Sequence, residues 1–317
     1  MNSDTPTLKD VQEAAVRIRP RVHRTPVQTC ETFDRMTGSR LFFKCENFQK
    51  VGAFKFRGAC NAIMSLTPAQ AQRGVVTMSS GNHAAAVSLA ARMQGIPAFI
   101  AMPETAPEAK KRAVVGYGGQ ITYCASVPDL PELARQLEEK TGAHLVHPFD
   151  DPLVIAGQGT AALELLEDVP NLDIIVAPVS GGGLLSGTCI AAAGMRPGIE
   201  LFGSEPSIAD DAYRSLRAGR LITDKIAPTV ADGLRATLSE RTLRILADHL
   251  RDIITVTENE IIESTKQIWQ RMKLVVEPSA AVPLAAILAQ PAHFSGKRVG
   301  IIVSGGNVDV DHLPWQQ

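Results

Sequence analysis

The feature that most restricts this chain is a regular alternation of short apolar runs with helix-length segments. Between Gly74 and Gly142, apolar runs at 75–78, 98–102 and 120–124 alternate with helical stretches at 82–93, 108–115 and 130–140, which close at or near Gly95, Gly116 and Gly142. Strands separated by segments of that length pair through right-handed crossovers, so a parallel sheet is expected. After Pro148 the pattern resumes with a helix at 153–166, a strand at 173–178, a glycine turn and a helix at 184–193. It continues with strands at 200–203, 253–256 and 299–303 and helices at 209–218, 240–250, 258–272 and 278–289. The run Ile174-Ile175-Val176 is apolar throughout, as a strand covered on both faces requires. Ahead of the alternation, Thr7 can cap a helix carrying Leu8, Val11, Ala15 and Ile18 and stopping at Pro20; a strand at 40–45 and a helix at 54–66 follow. The expected fold class is α/β, with two doubly wound parallel-sheet domains. The smaller domain, 71–146, is expected to be inserted into a larger one made of 1–70 and 147–317.

A chain of 317 residues with 45% hydrophobic content can bury cores of that size. Its net charge of -1, with the signs interspersed, offers neither a basic stripe for nucleic acid nor a polybasic membrane patch. Small uncharged or zwitterionic partners fit better. Met1 to Pro6 lack a secretion pattern and no apolar run is long enough to span a bilayer, so a cytoplasmic location is expected. The cysteines, Cys30, Cys45, Cys60, Cys124 and Cys189, are odd in number and form no Cys-x-x-Cys pair, so they are expected as reduced core residues.

Five short segments carry candidate chemistry. In 47–59, Lys55 stands between Phe54 and Phe56 just after Gly52, where a helix begins. An amine at a helix N-terminus against apolar rings is pushed toward its neutral, nucleophilic form; the plainer alternative is a surface lysine with a buried stem. Ser180-Gly181-Gly182-Gly183 follows a strand and opens a helix, which suits an anion such as phosphate or a simple tight turn. Its spacing is not that of a dinucleotide loop. Ser79-Ser80-Gly81-Asn82-His83 has the same placement and suits a carboxylate, or merely a capped helix start. Ser304-Gly305-Gly306-Asn307 closes the last strand as a turn. Glu205, Ala209 and Asp211 place two carboxylates and a carbonyl on one loop, suiting a hard divalent cation or a solvated helix cap.

Together, in this order and over nearly the whole chain, these segments resemble the fold-type II pyridoxal phosphate enzymes. The likeness is to the threonine/serine dehydratase and serine racemase group, which includes the threo-3-hydroxyaspartate ammonia-lyases. The resemblance implies that Lys55, with Phe54 beside it, carries pyridoxal 5'-phosphate as an imine. It implies that Gly181, Gly182, Gly183 and Leu184 hold the phosphate, that Asn82 lies against the ring hydroxyl and that Ser304 meets the pyridine nitrogen. By the same likeness the loop from Ser79 through Ser80, Gly81 and Asn82 to His83 grips the substrate carboxylate, and Ser80 faces the substrate opposite Lys55 as a second acid/base. Glu205, Ala209 and Asp211 match positions that bind magnesium or a similar ion such as manganese or calcium. Ser180 stands where many relatives have glycine, and Ala84-Ala85-Ala86 where many have Gly-Gln-Ala. Lys50 matches a nucleotide contact, but Val51 replaces a threonine often found beside it. Glu277 and Gly233 match positions near the cofactor and can equally be a helix-start acid and a turn glycine.

The activity implied is an ammonia-lyase. Lys55 removes the α-proton, the β-hydroxyl leaves, and a 2-oxo acid and ammonia result from threonine, serine or threo-3-hydroxyaspartate. A racemase using Lys55 and Ser80 on opposite faces is the alternative within the group. A cofactor- or effector-binding homologue without turnover is the alternative from another class, and a dehydrogenase is disfavoured by the loop spacing. A homodimer is expected.

Overall fold

The computed structural model describes residues 5–224 and 228–316. Residues Met1 to Asp4, on which the reading of the N-terminus partly rests, lie outside them.

Ten strands form two sheets. They are β1 (Val27–Gln28), β2 (Arg40–Cys45), β3 (Val75–Met78), β4 (Ala98–Pro103), β5 (Gln120–Cys124), β6 (His144–Leu145), β7 (Ile174–Pro178), β8 (Glu200–Pro206), β9 (Asp252–Val256) and β10 (Arg298–Val303). The larger sheet runs β1-β2-β10-β7-β8-β9 and the smaller β5-β4-β3-β6. The α/β class and parallel pairing are as expected, except at one edge where β1 pairs antiparallel with β2. β1 and β6 are two residues long, too short for any periodicity to register. The helices Glu31–Thr37 and Pro68–Arg73 were likewise not foreseen, while the first helix, Leu8–Ile18, has the expected cap, a reciprocal box between Thr7 and Asp10.

Ile174 and Val176 point into a core shared with Ile261, Ile268 and the helix Pro278–Ala289. Ile175 and Ala177 point into another, with Leu165, Leu185 and Ala191 from helices Pro152–Asp168 and Gly183–Met195. That is why β7 reads as a continuous apolar run: both faces are buried. The smaller sheet sends Val75, Ile100 and Met102 to one side and Val76 and Ala101 to the other. Helix Lys55–Met64 also joins the first of these cores through Phe56, Ala59 and Cys60. Its other face approaches helix Pro152–Asp168 so closely that a Cβ on Gly58 would lie 2.4 Å from Gln158 Nε2. The helix that begins with Lys55 is thus wedged between the two sheet systems.

All five cysteines are free, but only Cys45, Cys60 and Cys189 are buried; Cys30 and Cys124 are half-exposed, which corrects the expectation of five core positions. No helix among the described residues is long and apolar enough to cross a membrane.

Candidate active site

The candidate residues cluster where parallel strands end, the usual crevice in sheets of this kind. β2 leads into the segment before Lys55, β3 into 79–83, β7 into 179–183 and β10 into Ser304. Backbone bonds join two of these: Phe54 N donates to Ser304 O at 3.0 Å, and Gly306 N to Gly52 O at 2.9 Å. Val51 and Gly52 both take left-handed φ, 58° and 70°, and Asn307 Nδ2 holds Val51 O at 2.7 Å. The turn before Lys55 is therefore fixed from the far end of the chain.

Lys55 is the first residue of its helix. Its side chain is half-buried overall but its amino end is enclosed, and Nζ donates to Pro148 O at 2.7 Å. Burial pulls its pKa down to about 8, against an opposing pull from Glu277. Nζ lies 5.2 Å from the centre of the Phe54 ring. Phe56, the other flanking aromatic, faces the core beneath Lys50 instead.

In the 79–83 loop, Ser79 Oγ accepts from Gly81 N, and Ser80 is exposed. Asn82 Nδ2 reaches both carboxylate oxygens of Glu277, at 3.0 and 3.1 Å, and Asn82 Oδ1 accepts from Asn307 Nδ2 at 2.9 Å. Glu277 is buried, and its pKa is raised to about 7 by that burial first and by Asp232 second. His83 is buried with Nε2 3.1 Å from Val146 O, which makes Nε2 the donor and leaves buried Nδ1 without a partner among the described residues. Burial and the Lys55 charge hold it neutral.

The 180–183 loop is a steric cradle. A Cβ on Gly181 would strike the Phe149 ring at 2.4 Å, one on Gly182 would meet Leu238 and Thr242 at 2.8 Å, and one on Gly183 would meet Phe149 at 2.9 Å. Ser180 and Gly182 are left-handed, at 55° and 84°. Gly182 N turns inward to Val179 O, while the amides that open helix Gly183–Met195, including that of Leu184, belong to a first turn that has no intrahelical acceptors. Ser304 is buried just past the end of β10.

Glu205 and Asp211 are both buried, with Ala209 between them in sequence in a 3-10 turn. Burial, together with Asp211 and Asp210, raises Glu205 well above the usual carboxylate range; burial raises Asp211 to about 6. Among the described residues Asp211 Oδ2 is buried without a partner, and Glu205 Oε1 accepts a backbone bond from Tyr213 N at 2.6 Å. No group of three or more His, Cys, Asp or Glu suited to a metal occurs among the described residues; the set here is two carboxylates and a carbonyl.

Sequence reasoning missed the 147–151 loop over Lys55. His147 Nδ1 accepts from Phe149 N and Asp150 N, its pKa is lowered to about 4 by burial, and Arg241 clasps Asp150. It also missed a buried charge cluster under the lysine helix. There Arg57 bonds Glu46 at 2.7 Å and Glu164 at 2.8 Å, and Lys44 bonds Glu164 at 2.7 Å. The acidic and basic residues were visible; their meeting across the fold was not.

Similarity to known proteins agrees with this geometry. A family profile described as "Pyridoxal-phosphate dependent enzyme" matches residues 18–305. The chain is 50% identical over 311 residues to a beta-hydroxyaspartate dehydratase of Paracoccus denitrificans (strain Pd 1222), covering 98% of this chain and 99% of that one. It is 49% identical over 309 residues to a serine racemase of Arabidopsis thaliana, covering 96% and 93%. The structure of maize serine racemase superposes with a TM-score of 0.95 at 46% identity, covering 98% of this chain and 96% of that one. The match of that family profile to residues 18–305, with half of the residues shared with a curated relative along nearly the whole length, identifies this protein as a member of the pyridoxal-phosphate dependent enzymes.

Proposed function

We propose that this protein is a pyridoxal-phosphate dehydratase that releases ammonia from β-hydroxy amino acids, with threo-3-hydroxyaspartate ahead of serine and threonine as substrate. The observation that carries it is the enclosed Lys55 amine with its pKa near 8, in a chain 50% identical to a hydroxyaspartate dehydratase. The residues present fit the cofactor. The Gly181–Gly183 cradle has no room for side chains and presents first-turn amides to a phosphate, and the buried Ser304 hydroxyl would suit a pyridine nitrogen. When bound, the cofactor supplies a carbonyl that anchors the substrate amine and an electron sink for the Cα–H bond.

The chain's own residues do the rest. Backbone amides of Ser80, Asn82 and His83, at the start of helix Asn82–Gln94, would take the α-carboxylate and fix which face of Cα meets Lys55, since Ser79 N is held by Ala101 O and Gly81 N by Ser79 Oγ. Lys55 Nζ, whose pKa burial draws down toward neutrality to about 8, would accept the α-proton, steadied by the Pro148 carbonyl. Glu277 and Asn307 hold Asn82 in place against the ring hydroxyl. Phe149 and the Gly182 turn close the phosphate side against water. With Glu205 and Asp211, the Ala209 carbonyl takes a divalent cation such as magnesium, manganese or calcium, which relieves two buried carboxylates. The unit 71–146 acts as the small domain over the cleft formed by 1–70 and 147–317, and the protein works as a homodimer in the reducing cytoplasm, where its five cysteines stay free.

The test is incubation of cofactor-loaded protein with serine, threonine and both 3-hydroxyaspartate diastereomers. Oxaloacetate and ammonia from the threo form, faster than pyruvate from serine, are expected; no 2-oxo acid from any of the four would overturn the reading. A second reading, racemisation with Ser80 as the opposing acid/base, is favoured by the 49% identity to a serine racemase and by the exposure of Ser80. Chiral analysis of residual serine decides it.

A further inference from the structure

A second lysine, Lys110, carries positive charge to the 79–83 loop. Lys110, in helix Glu108–Gly116 beside the smaller sheet, packs against the 79–83 loop: a Cβ on Gly81 would lie 3.3 Å from both its Cδ and its Nζ. Across the cleft its ammonium is paired with Asp232, on the turn Asp232–Leu234 of the larger unit. The two side chains keep 20% and 34% of their exposure, so the pair faces the opening rather than the core. Lys110, Asp232, Gly81 and Asn82 line one cavity of about 540 Å³, which meets the site of Lys55 through the 79–83 loop and is not lined by Lys55 itself.

The charge balance of the substrate asks for such a cation. Serine carries one carboxylate, which the loop amides satisfy. A 3-hydroxyaspartate carries a second, and enclosing it unpaired would be strongly unfavourable. The first carboxylate sits at the loop containing Gly81, which puts its neighbour in the substrate within reach of the flexible Lys110 stem. Asp232, partly exposed, is easily resolvated when Lys110 turns away, because a bridge open to water is worth little.

We infer that Lys110 reads the second carboxylate of a 2-amino dicarboxylic substrate, which displaces Asp232 from it. This rests on the dehydratase reading above and assigns its specificity to a residue outside the reacting centre. The test uses the cofactor-loaded enzyme in two independent measurements. One is the ratio of kcat/KM for threo-3-hydroxyaspartate over serine. The other is calorimetric binding of L-malate against L-lactate, which share a hydroxy acid but differ by a carboxylate and need no turnover. Lys110→Met should lower both ratios on the order of 10- to 100-fold, the range of a lost charge-assisted bond, and Lys110→Arg should recover much of the loss. Asp232→Asn should act in the opposite direction, tightening malate several-fold, because it removes the competing carboxylate. A purely structural bridge would make Lys110→Met and Asp232→Asn change malate and lactate alike and with the same sign, and that result overturns the inference. So does discrimination that follows Arg241→Gln instead of Lys110→Met. Retained cofactor absorbance and melting temperature check that each variant folds, with Lys110→Gln as the substitute where Met does not. If the parent enzyme turns over no hydroxy amino acid, the dehydratase reading fails while the malate and lactate comparison still decides Lys110.

Discussion

Lys55 and Arg57 are cations two residues apart on the same helix, and their surroundings are opposites. Arg57 is fully buried and saturated: its guanidinium meets both oxygens of Glu46, both of Glu164, and the hydroxyls of Thr25 and Thr160. Lys55 has one hydrogen-bond partner, a neutral carbonyl, and its nearest opposing charge, Glu277, is itself biased toward protonation. The first arrangement makes a charge permanent; the second makes it easy to remove. One turn of helix thus holds an anchor and a reactive amine, and the anchor fixes where the amine points.

The contrast can be broken in order of effect. Lys55→Ala should lower kcat by at least about 10⁴-fold and abolish borohydride tagging by the cofactor, while the melting temperature stays near that of the parent apoprotein. Arg57→Met should do the reverse, destabilising by about 3–5 kcal/mol in denaturant titration, because Glu46 and Glu164 lose their buried partner. A third site sharpens the point, since Glu205 and Asp211 are buried acids that form no ion pair among the described residues, and the pull of Arg214 on Asp211 is outweighed by burial. Their folded-state pKa values are raised, so their contribution to stability is full at low pH and is lost as pH climbs, for Asp211 between about 4 and 6. Metal-stripped protein should therefore melt lower at pH 7.5 than at pH 5, and saturating magnesium should restore about 2–3 kcal/mol at the higher pH. Recapture of pyridoxal phosphate by apoprotein, followed by visible absorbance, should rise with a midpoint near pH 8. The smallest effect is Phe54→Ala, which opens the amine to water and should move that midpoint upward by less than about one unit.

Much of the site was legible because its chemistry is local. Gly181 to Gly183 stand out as a run of small residues between a strand and a helix, and a lysine after Gly52 at a helix start announces itself. The α/β class followed from spacing for the same reason. What could not be read was partnership at a distance: Pro148 lies 93 positions from the lysine it holds, and Glu277 lies 195 from Asn82. Glu277 illustrates the limit. As a residue before Pro278 it reads as an ordinary helix-start acid, and only burial under Gly305 and Asn82 makes it unusual. Lys110 and Asp232 are common surface residues in the sequence, and the cleft between two sheets alone brings them together.

The pairing of β3 with β6 has a mechanical consequence. His144 N bonds Gly74 O and Val146 N bonds Val76 O, so the chain departs for the four-stranded unit and returns from it side by side. A body tethered by two neighbouring threads pivots about them, and Pro148, whose carbonyl steadies the Lys55 amine, lies just past the returning thread. Tilting the unit would therefore turn that carbonyl and retune the amine, so amide hydrogen exchange at 146–149 and the colour of the bound cofactor should change in step as ligands come and go.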